Sequence, residues 1–131
     1  VTGVLATYTL PAGTLAVNKQ AVRITAWGTR SGTAAVVSLQ FRFNAGAQTT
    51  LSVATAVAQW YATWLIVRTG ATTQDFFVSS FGEEGAATAM DFGTDAETLA
   101  NALAIDLNVS VINAADTITQ EGFIVEFLNF A

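Results

Sequence analysis

Ten carboxylates are the only plentiful side chains here that could carry acid–base or metal chemistry, because the sequence holds no histidine and no cysteine. Five of them, Glu83, Glu84, Asp91, Asp95 and Glu97, fall in one stretch. Loop carboxylates can hold Ca²⁺, but their spacing does not match the fixed ligand positions of an EF-hand loop. A solvated loop is the expectation. A glycosidase needs two carboxyl groups facing each other at a set distance. Glu121 with Glu126, or Asp75 with Asp106, are conceivable pairs, and spacing along the chain selects neither. Serine hydrolysis needs a base beside the nucleophile, and without histidine only Lys19, the sole lysine, could serve. It lies in the turn-like segment Asn18-Lys19-Gln20, where a loop-tip charge is the simpler role. Lack of cysteine removes disulfides, zinc thiolates and cysteine nucleophiles. Lack of histidine removes the commonest general base and transition-metal ligand. The glycines are isolated or sit at turns and form no phosphate cradle. The chain therefore reads as non-enzymatic, with no catalytic residue, no metal and no cofactor.

Aromatic side chains offer a different chemistry, stacking on sugar rings. Trp60 and Trp64 lie four residues apart on one face of a strand, and Trp27 and Tyr61 sit on other strand faces. Core or interface packing is the stronger expectation for Trp60 and Trp64, since large aromatics dominate core and interface energetics. Trp27 and Tyr61 are the candidates for glycan contact.

The elements that must position these groups are strands. From Ala35 to Phe43, Val37, Leu39, Phe41 and Phe43 alternate with Ser38, Gln40 and Arg42. From Ala102 to Ile112, Leu103, Ile105, Leu107, Val109 and Val111 alternate with Asp106, Asn108 and Ser110. Side chains alternate faces along a strand, so each run has one wet and one buried face. The same pattern predicts strands at 4–10, 21–29, 49–53, 59–68, 74–80, 88–92 and 122–130. Turns are expected at 11–13, 45–46, 69–70 and 82–85. Residues 95–104 have good helix formers and an acidic start, and read either as one helical turn or as a strand lead-in. Residues 54–58 are equally ambiguous. The expectation is one domain over 1–131, an all-β, antiparallel, jelly-roll-like sandwich of about eight strands.

Composition bears on partners. Hydrophobic residues make up 52% and charged residues 11%, against roughly 25% charged in a typical globular domain. Interface cores are depleted in charge, so contact between subunits explains so uncharged a surface. The five basic residues are scattered and the net charge is −5, which lacks the phosphate-binding footprint of a nucleic-acid partner. No apolar run reaches the ~18 residues of a membrane helix, so no membrane insertion is expected, and Val1–Leu10 does not read as a signal peptide. Two strands, Trp60–Val67 and Phe123–Leu128, are apolar on both faces. Either they are central strands roofed by loops, or a neighbouring subunit covers them. Trp60, Trp64, Phe123, Val125, Phe127 and Phe130 are accordingly the candidate oligomer-interface or core residues.

Three segments carry a resemblance: LAVN at 15–18 with VRITAWGT at 22–29, WLIVRTGATTQ at 64–74, and TITQEGFIVE at 117–126. Together they resemble a jelly-roll domain of tailed-bacteriophage virion proteins, found in tail-fibre-like and other exposed structural proteins. The resemblance implies a sandwich, often trimeric, displayed on the virion exterior without a cofactor. Fibre proteins usually carry a shaft or attachment region upstream, and none is present here. Either that part is missing, or the jelly roll docks directly as a capsid decoration protein or head appendage, with the major capsid protein as a partner. The alternative implied is a tail-fibre tip that recognises a host surface glycan.

Overall fold

Alternation with period two becomes strands along most of the chain. The computed structural model describes residues 2–32, 37–44, 46–53, 59–82, 89–110 and 116–130. Among these are nine strands and no helix: β1 (Thr2–Leu10), β2 (Gln20–Ser31), β3 (Val37–Phe43), β4 (Gly46–Val53), β5 (Gln59–Gly70), β6 (Thr73–Gly82), β7 (Ala89–Asp95), β8 (Leu103–Ser110) and β9 (Thr117–Asn129). They form two antiparallel sheets, one of four strands in the order β1-β8-β3-β4 and one of five in the order β7-β6-β5-β2-β9. The sheets stack as a β-sandwich. Five of the eight links between consecutive strands pass from one sheet to the other. At one flank β1 lies near β9; at the other β4 lies near β6 and β7.

The core is the set of inward faces. Val22, Ile24 and Ala26 of β2 and Trp60, Ala62, Trp64 and Ile66 of β5 meet Val37, Leu39, Phe41 and Phe43 of β3 and Leu103, Ile105, Leu107 and Val109 of β8, all buried. Trp64 joins the layers: its ring centroid lies 4.9 Å from that of Phe41, tilted, and 6.4 Å from that of Phe43, edge-on. Both are favourable aromatic geometries.

Strand boundaries differ from expectation where polar residues mask the pattern. β9 begins at Thr117 rather than at residue 122, because Thr117–Gln120 pairs with the end of β2 beyond a bulge at Glu121. Residues 95–104 are neither a helix nor a simple lead-in. β7 runs to Asp95, a connection follows, and β8 starts at Leu103. Tertiary bonds override the local helix propensity. The buried Gln74 side chain donates to the Glu97 carbonyl (2.8 Å) and accepts from the Glu97 N–H (2.9 Å). The Leu99 N–H donates to Ala71 O, Gly13 N–H donates to Leu99 O, and the Leu99 side chain is buried.

Other connections at this end are tied in the same way. Arg68 donates to Asn18 Oδ1 and Leu15 O, and its own carbonyl accepts from Lys19 N–H. Lys19 and Asn44 both adopt left-handed backbone, with φ of 75° and 58°. Lys19 is thus an exposed turn residue, as its neighbours suggested. The ambiguous 54–58 segment, most of the 82–85 turn, Glu83, Glu84 and the far ends of the 35–43 and 102–112 runs lie outside the described residues.

Of the two readings of the apolar strands, roofing by the chain's own loops does not hold for β9. β5 is the middle strand of its sheet, but β9 is an edge strand. Its apolar run is not roofed: Ile124, Phe127 and Phe130 are exposed, and only Phe123 and Val125 pack partly against the core. As an edge strand, β9 has a neighbour on one side only, so its inward side chains are only half covered. Phe127 and Phe130 are therefore not core residues.

Candidate interaction surface

The carboxylates do not converge. Asp75 lies on the outer face of the five-stranded sheet and Asp106 on that of the four-stranded sheet, so the core separates them. Asp106 accepts from Thr7 Oγ1 at 2.5 Å. Asp91 and Asp95 each accept the N–H of the following residue, and Glu97 accepts from Asn44 Nδ2. Glu121 is exposed on β9. Among the described residues no three carboxylates gather as a metal site would require. An open cleft of about 490 Å³ at the end of β6 and β7 is bordered by Thr69, Thr73, Asp75, Thr94 and Asp95. Gln74, which also lines it, is committed to holding Glu97.

Glu126 forms a two-pronged ion pair with Arg23, at 3.1 and 3.2 Å. Hydrogen bonding to Arg23 holds the Glu126 carboxyl below its ordinary value of 4.5. The pair thus adds stability that is fully present above the ordinary carboxylate range and is lost as pH falls through the lowered value. Both side chains are substantially exposed, so the contribution is small and salt-screened. In thermal melts at low salt, acidification from about pH 6 to about pH 3 is expected to lower Tm slightly more for the wild type than for Glu126→Gln. The difference should vanish in molar salt.

The two outer faces of the sandwich differ sharply. On the four-stranded sheet, β3 presents Ser38, Gln40 and Arg42, β8 presents Asp106 and Asn108, and β1 presents Thr7 and Thr9, with Val4 at the margin. On the five-stranded sheet, cross-strand register sets Phe92, Phe77 and Leu65 in one row, with Arg23 and Glu126 continuing it. Val67 and Leu128 lie in the row on one side and Ile124 in the row on the other. Phe92 is 78% exposed, Phe77 48% and Ile124 45%; Leu65, Val67 and Leu128 are half-buried. The flanking rows also hold Asp75, Ser79, Thr63 and Thr25, so this is an apolar row on a mixed sheet face, continued by the Arg23–Glu126 ion pair.

The aromatic candidates divide. Trp60 and Trp64 are core residues, and among the described residues neither buried indole N–H has an acceptor. Trp27 and Tyr61 are register partners on the outer face of the five-stranded sheet. The Trp27 ring lies over Gly122 of β9, where a Cβ would overlap it. An aromatic ring covering a strand glycine is a known stabilising device. Tyr61 OH accepts from Thr63 Oγ1 at 3.2 Å. The structure thus brings Trp27 and Tyr61 together on the same sheet face as the apolar row.

Two features escaped the sequence reading. Phe76 and Phe77 are consecutive in a strand and must point to opposite sides, so one of them had to face outward. The second is a buried ion pair, Arg30–Asp116 at 3.7 Å, with both side chains almost fully enclosed. Arg30 sits in the inward register of Val22, Ile24, Ala26 and Gly28, which was its signal. Gly32 makes room for the pair: its φ is +138° and a Cβ there would collide with Asp116.

No protein-family model, no curated protein and no solved structure matches this chain.

Proposed function

We propose that this chain is a structural subunit that assembles with copies of itself. The sequence resemblance suggests the exterior of a bacteriophage particle as the setting, as a decoration or appendage protein contacting the major capsid protein. The observation that carries the proposal is the contrast between the two outer faces. An outer sheet face that meets water alternates polar against the apolar core side. Strands β1, β3 and β8 of the four-stranded sheet follow that rule, and the five-stranded sheet breaks it at Phe77, Phe92, Ile124, Leu65 and Val67. Fully burying one such side chain is worth roughly 1.5–3 kcal/mol, so a covered face stabilises an assembly substantially. Sister copies are the proposed cover, in keeping with a chain in which only 11% of residues are charged. A trimer is the form the resemblance implies.

The adjacent Trp27 and Tyr61 favour a second role on the same particle, stacking on a host surface glycan. If binding to a glycan array is undiminished by Trp27→Ala, that role is excluded.

The main proposal is tested by Phe77→Asp combined with Phe92→Asp. Both side chains face outward, so the far-UV circular dichroism should be unchanged. The sedimenting mass is expected to fall toward the 13.7 kDa of one chain. An unchanged oligomer mass would remove this face from the account.

A further inference from the structure

We infer, building on the glycan role proposed for Trp27 and Tyr61, that Trp27 is the floor of a site for one uncharged pyranose ring and that Gly122 sets its pose. The site is separate from the row of Phe77 and Phe92 and needs no assembly.

The way the indole lies is the first observation. Trp27 and Gly122 are register partners on the outer face of the five-stranded sheet. A Cβ built on Gly122 would meet three consecutive ring atoms of Trp27, Cε2, Cζ2 and Cη2, at nearly equal distances. A ring turned edge-on would put one atom close and its neighbours farther off. The ring is therefore face-on to Gly122. Strand side chains stand roughly perpendicular to their sheet, so a ring face-on to that direction lies roughly parallel to the sheet. One face rests on the β9 backbone and the other turns outward. Gly122 is buried beneath the ring, and Trp27 stays partly exposed. On the other side Trp27 is partnered by Tyr61 of β5, whose OH accepts from Thr63 Oγ1.

The surround is the second. On the same face, the row on one side of Trp27 holds Thr25 and Thr63, and the row on the other holds Thr29, Gln59 and Thr119. Ile124 is the one apolar side chain at these neighbouring positions. Thr25 and Thr63 stand between the indole and the row of Leu65 and Phe77. The result is an aromatic island bordered by hydroxyls and an amide. A second copy would find a single ring in a polar field here, too little for an interface core. A pyranose has the matching chemistry. Its C–H bonds suit the electron-rich face of the indole, and its hydroxyls donate to and accept from threonine and glutamine. An aromatic wall with a few polar groups that fix orientation is the usual make-up of a small-ligand site.

Charge is the third. Among the described residues the only cation on this outer face is Arg23, which is committed to Glu126. Glu121 is exposed next to Gly122. An acidic or phosphorylated sugar would approach Glu121 with no cation to meet it, so the ligand is an uncharged sugar. Gly122 is a positioning residue: a Cβ there displaces the far end of the indole and ends its flat seat on β9.

The test uses the intact, isotope-labelled chain, whose three tryptophans give three indole N–H cross-peaks in an NMR spectrum. Trp60 and Trp64 are core residues, so their peaks report on the fold. The Trp27 peak is the one missing from Trp27→Ala. The probes are the methyl glycosides of glucose, galactose and N-acetylglucosamine, with N-acetylneuraminic acid as the charged comparison. At least one neutral glycoside is expected to move the Trp27 peak and leave the other two in place. Gly122→Ala is expected to weaken that binding roughly tenfold, the value of one good aromatic contact. If Gly122→Ala binds as tightly as the wild type while Trp27→Ala does not bind, the glycan role stands and the flat pose falls. If only N-acetylneuraminic acid moves the Trp27 peak, the role stands and the uncharged class falls. If no probe moves it, the single-ring site falls, and the glycan array with Trp27→Ala decides the wider role. Should Gly122→Ala disturb the Trp60 and Trp64 peaks, Thr29→Val takes its place, since it keeps the shape of the side chain and removes one bordering hydroxyl. It is expected to weaken binding severalfold with the core peaks fixed, and an unchanged affinity overturns the site.

Discussion

Trp64→Ala is expected to destabilise the protein by about 3–5 kcal/mol, the range for removing a fully buried large aromatic. Trp64 is completely enclosed on the middle strand of the five-stranded sheet, and its indole meets Phe41 and Phe43 of the opposite sheet. The substitution opens a cavity at the point where the two layers interlock. A domain of this size has a total stability of about 5–15 kcal/mol, so the substitution removes a large share of it and should lower the urea midpoint markedly. Trp64→Phe separates packing from polarity. It keeps an aromatic ring against Phe41 and removes a buried N–H that has no acceptor among the described residues. Leaving such a donor unpaired costs about 1–3 kcal/mol, which offsets part of the lost volume. Urea midpoints should therefore place Trp64→Phe much nearer the wild type than Trp64→Ala. Equal losses for the two would contradict the packing described for this residue.

Asp116→Ala is expected to cost a similar amount, about 3–5 kcal/mol, for a different reason. It leaves the Arg30 guanidinium, itself enclosed, without its carboxylate, and an uncompensated buried charge is strongly unfavourable. Replacing both members with apolar residues, as in Arg30→Met with Asp116→Leu, removes the desolvation burden of both and should cost far less than either single change. The double-mutant cycle from chemical denaturation supplies the test, and additive single losses would mean the two charges are independent. Arg23–Glu126 makes shorter contacts, yet its removal should matter much less, because solvent reaches both groups. Burial, not distance, separates the two pairs.

The strands themselves were legible in the sequence. β3 and β8 alternate cleanly, and the inward sets Val37–Phe43 and Leu103–Val109 are the ones the alternation names. Trp60 and Trp64 sit where an aromatic-rich strand face should, in the core. What stayed hidden depends on the order of strands in the sheets. The apolar run at Phe123–Leu128 looks the same whether its strand is central or at an edge, and only pairing with β2 alone shows that Phe127 faces an open flank. The outer apolar row needed the register of β5, β6 and β7, because Leu65, Phe77 and Phe92 are far apart in sequence and adjacent only in the sheet. The 95–104 segment misled because its helix propensity is real but local. Gln74 and Ala71 claim its backbone from another part of the chain. Arg30 and Asp116 are 86 positions apart, so nothing local could pair them.

The central proposal is that the five-stranded sheet turns its apolar outer row toward sister copies. The mass of the intact chain by light scattering, followed through a dilution series, tests it most directly. The account predicts a stable multiple of 13.7 kDa at micromolar concentration. A single-chain mass at every dilution, with Phe77 and Phe92 simply facing water, would contradict it.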